Sequence, residues 1–513
     1  MADHVIVETK TGKIRGLENE GIKVFKGITY GGPTDGVRRF MPPTAAEPWS
    51  GIRDALSYGP RAMQEDNAFA MPPQILKLFG ERELEPMSEN CLVLNVWSPA
   101  VNDRVKRPVM FWCHGGAFIS GSGSAPWYDG TTLCRKGDVV VVTINHRLGA
   151  FGYLHLEDLL GAEFASSGGA GMLDIVAALE WVRDNIATFG GDPGNVTIFG
   201  ESGGGAKVSV LMAMPAAHGL FHRAIIQSGP AVQMASREDA SETAKQLIAE
   251  LGLGQSQAAK LRDLPAQRLA DAQAAVLRKV SMMSFSNRRR VGFNPVVDGK
   301  HLPSDPFAPF APQISAHVPL IIGTNKDEMT LFFALAPWID KLDEPTLRER
   351  LRAFVGDKGA GILESYRRAR PNDSRRELVL AIATDHAMRI PSLVTAERKV
   401  AQKAAPVFVY LFTWETPVLD GLLKSPHALE IPFVFDTVKT SSLTGDAPTR
   451  FALAEKMSRT WISFARHGNP NNDSIPEWPS YSEERRATMI FDNQCRVEND
   501  PYRQERLAWK SNP

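Results

Sequence analysis

Short apolar, β-branched runs recur along this chain with helical patterns between them, and that alternation constrains its fold more than any other feature. PVMFWC at 108–113, VVVVTI at 139–144, VTIFG at 196–200, RAIIQSG at 223–229, VPLIIG at 318–323 and PVFVYLF at 406–412 each read as a buried strand. Strands separated by helices predict an α/β chain with a mostly parallel central sheet flanked by helices. The helix before VTIFG is the clearest: Met172, Ile175, Leu179, Val182 and Ile186 repeat at spacings of three and four and form one apolar stripe. Gly190 and Gly191 mark its end, where a C-terminal cap is expected.

Three regions break the rhythm. Residues 55–90 are irregular and rich in Met and Pro, whereas 235–290 and 340–400 are strongly helical with charged clusters. None holds a Gly/Ser linker, so 1–513 is expected to be a single domain in which these insertions form a gorge and cap over the sheet edge.

Lys plus Arg and Asp plus Glu are each 58, which leaves no net field to draw in nucleic acid or an anionic membrane and points to a neutral small-molecule substrate. The opening MADHVIVETKTGKIRG reads as a first strand rather than a secretory leader. The apolar runs fall far short of the roughly 20 residues that cross a bilayer. Cys91, Cys113, Cys134 and Cys495 show no CxxC spacing, so free thiols in a reducing cytoplasm are expected. Oligomeric state, monomer or dimer, stays open.

VTIFGESGGGAKVSVLMAM reads as strand, tight turn and helix, with Ser202 at the turn. A serine there is forced into strained backbone geometry that presents its hydroxyl, and side chains at Gly200 or Gly204 would collide with the neighbouring strand and helix. The helix that follows turns free N–H groups and its positive end to the same spot, which suits an oxyanion. The competing reading, a phosphate loop, needs Gly-Lys-Ser/Thr in succession; here Ala206 separates Gly205 from Lys207 and Val208 follows.

Upstream, His114, Gly115, Gly116, Ala117 and Phe118 directly follow the strand PVMFWC. Small residues let backbone N–H groups approach a ligand, as donors to a tetrahedral oxyanion must. His114 precedes the serine, whereas the base of such a site comes last in the chain, so His114 is assigned a structural role. The acid should follow one strand and the base a later one: TNKDEMTLFF after VPLIIG offers Asp327 and Glu328, and SPHALEIPFVF offers His427. His386, within a helical pattern, and His467, at the end of FARHG, read as structural. Such a triad needs no metal and no cofactor.

With those residues in hand, the chain closely resembles the type-B carboxylesterase family, which includes bacterial p-nitrobenzyl esterases and cholinesterases. The marks run nearly end to end: FKGITY, RRFMPP, ENCLVLNVWSP, HGGAF, INHRLGAFGYL, GMLDIVAALEWVRDNIATFGGDPGNVTIFGESGGG and HALEIPFVF. The resemblance implies an α/β-hydrolase fold and a serine esterase acting through an acyl-enzyme. It implies a catalytic triad of Ser202, Glu328 rather than Asp327, and His427. It also implies an oxyanion hole of Gly116, Ala117 and Gly203, with Gly115 adjoining, and a supporting polar network of Glu201, Ser228 and Glu430. The chain departs from the family at Met329, where a glycine often follows the acid, and at His146, where a tyrosine is usual. The family's N-terminal disulfide has no second cysteine in GPRAMQ, which fits a bacterial, cytoplasmic enzyme.

Candidate substrate-binding residues are Phe118, Met282, Met283, Phe285, Phe332, Phe333 and Trp338, and a Met-rich wall would adapt to varied small esters. The same chemistry would serve a carbamate or aryl-amide hydrolase. A non-catalytic binding relative would have lost the serine, and a lipase would carry a long apolar lid.

Overall fold

The apolar runs become the middle of one sheet. The computed structural model describes residues 4–80, 84–279 and 292–511. From one edge to the other the order is His4–Thr9, Gly12–Asn19, Ile22–Thr29, Val93–Ser98, Val140–Ile144, Arg107–Cys113, Gly191–Glu201, Arg223–Gln227, Leu320–Asn325, Val407–Phe412, Ala487–Phe491 and Arg496–Asn499, with Ile52–Asp54 paired beside Gly12–Asn19. From Val140–Ile144 through Ala487–Phe491 neighbours pair parallel, the neighbours beyond them along this order pair antiparallel, and Ile52–Asp54 pairs parallel with Gly12–Asn19. This is the α/β-hydrolase fold.

The reason for continuous apolar runs in the middle is coverage on both faces. Along Arg107–Cys113 the side chains alternate: Val109, Phe111 and Cys113 enter the core cluster on one face, Met110 and Trp112 the cluster on the other. The apolar stripe beginning at Met172 is the helix Ala170–Asn185, continued by a tighter turn to Phe189 and closed by Gly190 in the left-handed region at φ 73°. Only a residue without Cβ adopts that cap freely.

The helices Glu344–Val355, Gly359–Ala369 and Arg375–Thr384 share a third, smaller core cluster with Met329 and Phe333. No helix among the described residues is long and apolar enough to cross a membrane. All four cysteines are free thiols.

In a parallel sheet every strand ends on the same side, and ligands bind beyond those ends. Cys113, Glu201, Asn325 and Phe412 are such ends, and each leads into a segment singled out by sequence.

Candidate active site

Ser202 follows the last residue of the strand Gly191–Glu201 and precedes the helix Gly203–Leu211. Its backbone sits at φ 56°, ψ −123°, a conformation that costs a non-glycine residue roughly 1–3 kcal/mol and must be enforced by its surroundings. The enforcement is visible. Ser202 N–H donates to the Gln227 carbonyl at 2.8 Å and its own carbonyl accepts from Ala206 at 3.0 Å. A Cβ on Gly204 would lie 2.0 Å from the Cys113 oxygen, so the helix can start this close only because glycine stands there.

The loop after Cys113 packs against the same helix start. A Cβ on Gly203 would lie 2.3 Å from Ala117 Cα. Gly116 and Ala117 both have positive φ, 88° and 52°. As the first helical residue, Gly203 has no carbonyl four residues back to bond, so its N–H is available to a ligand.

His427 is buried beside Glu328. The imidazole Nδ1 lies 2.6 Å from Glu328 Oε2, and Glu328 Oε1 accepts from the Asn325 N–H at 2.7 Å. The Nδ1 contact fixes the tautomer and leaves the Nε2 lone pair outside it. Asp327 is turned elsewhere: its carboxylate accepts from the Ser425 N–H at 3.4 Å and faces Lys326 at 4.0 Å. Of the two neighbouring acids, only Glu328 reaches the imidazole.

His427 Nε2 makes no protein hydrogen bond and faces Glu201 Oε1 at 3.1 Å. Burial alone would lower the imidazole, but Glu201 and Glu328 outweigh it and raise the group to about 9. Burial in turn pushes the Glu201 carboxyl well above the usual range.

Glu430, pushed up to about 7 by burial with Glu328 adding to it, accepts from Asn325 Nδ2 at 2.7 Å and Gln227 Nε2 at 3.1 Å. Gln227 accepts in turn from the Trp461 indole at 3.1 Å. The polar network under the site therefore runs through Asn325 and Gln227, which sequence reasoning missed, although each ends a strand of the sheet. Ser228, the third residue expected in it, has positive φ (46°) and donates its N–H to Gly323, but its buried hydroxyl makes no protein hydrogen bond.

A cavity of about 510 Å³ opens over Ser202 and His427, with Gly115, Gly116 and Glu201 in its wall. The rest of the described wall comes largely from 61–80 and 120–128, with Leu84, Leu331, Phe332, Ala428 and Ile431. The described residues of 235–290 and 340–400 contribute none of it, whereas the irregular stretch of 55–90 supplies much of the described wall.

Phe332 does face the site, its ring 5.4 Å from the imidazole. Phe118, Phe333 and Trp338 do not line the cavity, contrary to expectation. Phe118 is buried edge-on against Tyr153, and Phe333 stacks on Phe354 in the third core cluster with Trp338 against both. Met282, Met283 and Phe285 lie outside the described residues. Phe69, Met71, Leu76 and Phe79 supply the apolar wall instead. Their segment lacks periodicity, so no local pattern marked them.

His114 turns its Nδ1 to the Gly115 carbonyl at 2.8 Å and stacks on His146 at 5.1 Å, and burial lowers both imidazoles well below their usual value. His386 stacks on Trp509, and His467 ends the helix Thr449–His467.

A parallel sheet with a strained serine at the end of a central strand and a buried histidine in the loop after a later one defines a hydrolase of the α/β-hydrolase class. The chain belongs to the carboxylesterase family, whose model matches residues 3–509. It is 38% identical to the para-nitrobenzyl esterase of Bacillus subtilis (strain 168), over 98% of each chain. It is 32% identical to the phenmedipham hydrolase of Pseudarthrobacter oxydans, over 99% of each. A solved carboxylesterase of Geobacillus stearothermophilus superposes with a TM-score of 0.86 at 42% identity, covering 98% of this chain and 99% of that one. The protein is a carboxylic ester hydrolase.

Proposed function

We propose that Ser202, His427 and Glu328 hydrolyse a carboxylic ester through an acyl-enzyme. The observation that carries the reading is the 2.6 Å contact from buried Glu328 to Nδ1 of His427, which shares the wall of one cavity with Ser202. Ser202 Oγ attacks the ester carbonyl carbon while His427 Nε2 takes the hydroxyl proton, and Glu328 steadies the imidazolium. The carbonyl oxygen becomes an oxyanion, met by the N–H groups of Gly116, Ala117 and Gly203. Collapse expels the alcohol with the proton from His427, and water then releases the acid by the same steps.

The cavity volume and its wall of Phe69, Met71, Phe79 and Phe332, with Arg61 and Gln64 at polar positions, suit small esters with aromatic or aliphatic groups of varied shape. Residues 1–513 act as one catalytic domain, since a single sheet carries every group of the site. Four unpaired cysteines fit a cytoplasmic enzyme.

An organophosphate should label Ser202 stoichiometrically in the folded protein and abolish hydrolysis of a p-nitrophenyl ester. Unlabelled Ser202 in folded, active protein rules the assignment out.

A further inference from the structure

Lys207 is a fully buried lysine on the helix that begins at Gly203, and nothing in the triad chemistry uses it. Its ammonium donates to the His114 carbonyl at 2.9 Å and to the Ala117 carbonyl at 2.8 Å. No carboxylate pairs with it among the described residues. The titratable groups that face it, Cys113, His114 and His146, are all held neutral by burial: the thiol is pushed up to about 12 and both imidazoles are lowered. Phe118, its ring centroid 5.6 Å from Nζ, closes the remaining side. A buried cation without a counter-ion is costly, and its two acceptors are not arbitrary.

The two carbonyls bracket the segment Gly115–Gly116–Ala117. That segment has two glycines and no long side chain with which to anchor itself, and Ala117 is held at φ 52°, which an alanine does not adopt unaided. The clamp comes from the same helix that supplies Gly203, against which Ala117 packs. The loop donors and the helix donor are thereby joined into one rigid unit.

We propose that Lys207 is a positioning residue for ester hydrolysis: its ammonium pins both ends of the 115–117 loop, so that the loop N–H groups are already aimed where the oxyanion forms. This rests on the reading of Ser202 and that loop as the site of attack. Preorganisation of this kind acts on the transition state more than on bound substrate, because the charge it serves does not exist in the ground state. The uncompensated charge adds a second contribution of the same sign. Burial lowers the ammonium to about 7, the response expected of a cation held without an anion, and a developing oxyanion nearby would favour its protonated form.

The test is Lys207→Met, which keeps the stem and removes the donors and the charge. Active sites are counted by organophosphate titration. Turnover per titrated site should fall roughly 10- to 100-fold with KM changed less than about threefold, and a trifluoromethyl ketone should bind more weakly by a similar factor. Turnover per site within about twofold of wild type, or a loss confined to KM, overturns the proposal. Should the variant not fold, the wild-type protein labelled with 15N-lysine gives the answer. Forming the trifluoromethyl-ketone adduct places an oxyanion in the hole, and by reciprocity it should raise the pH at which Lys207 Nζ titrates by about half a unit or more; an unmoved midpoint overturns the proposal. Failure of the organophosphate to label Ser202 in wild-type protein would sink the site assignment itself, whereas normal labelling with unaffected Lys207→Met turnover sinks only the role of Lys207.

Discussion

Glu201 Oε1 stands 3.1 Å from His427 Nε2, the nitrogen that takes the Ser202 proton in the proposed mechanism. Glu328 holds the other ring nitrogen, so the imidazole lies between two buried carboxyls. Both favour its charged form, which cannot act as a base. The rate should therefore fall as acid fills that nitrogen, and Glu201 sets where the fall begins.

Glu201→Gln removes one carboxylate while keeping the shape. His427 should then lose its proton at lower pH, and the acid limb of the kcat/KM profile should move down by about one unit. A pH series from 5 to 10 with a neutral ester checks this. An unmoved limb would mean that Glu201 stays uncharged throughout.

Glu328→Gln leaves an amide where the imidazole needs an anion, and turnover should fall by roughly 10² to 10⁴. Asp327→Asn should leave turnover within about twofold, because that carboxylate faces Lys326 and Ser425 rather than His427. Steady-state kinetics on the pair tests the assignment at adjacent positions.

Phe332 and Phe333 should separate function from stability. Phe332→Ala enlarges the cavity beside His427 and should change KM and the preference between small and bulky esters. Phe333→Ala should leave selectivity alone and cost about 3–5 kcal/mol of stability, as the loss of a core aromatic does. A substrate panel and urea unfolding of both variants distinguish the outcomes.

Arg147 and Asp174 form a buried ion pair at 2.6 Å, with side chains 2% and 0% exposed. Asp174→Asn strands the guanidinium without its anion and should destabilise the fold by about 3–5 kcal/mol. The midpoint of chemical denaturation measures it. Since neither residue lines the cavity, turnover per folded molecule should persist.

Much of the architecture was legible in the sequence because its signals are local. The strands at 108–113, 196–200, 318–323 and 406–412 announced themselves by continuous apolar character, which buried parallel strands require. The helix beginning at Ala170 did so by a stripe of period 3.6. Ser202 was legible for the same reason: the glycines that permit its strained turn stand within a few residues of it. The close packing of the 115–117 loop on the helix start could be read from its small residues directly after a strand.

What the tertiary structure decided is which way side chains point across long separations. The choice between Asp327 and Glu328 depends on which carboxylate faces a histidine about a hundred residues further on, and no periodicity records that. Phe332 and Phe333 are neighbours of one chemistry, yet one faces the cavity and the other the core, according to how the helices beyond residue 340 pack. Asn325, Gln227 and Lys207 look like ordinary polar residues within their elements. Their partners come from other strands and loops, and only when the sheet closes do those groups meet in a place dry enough for their hydrogen bonds and charges to act.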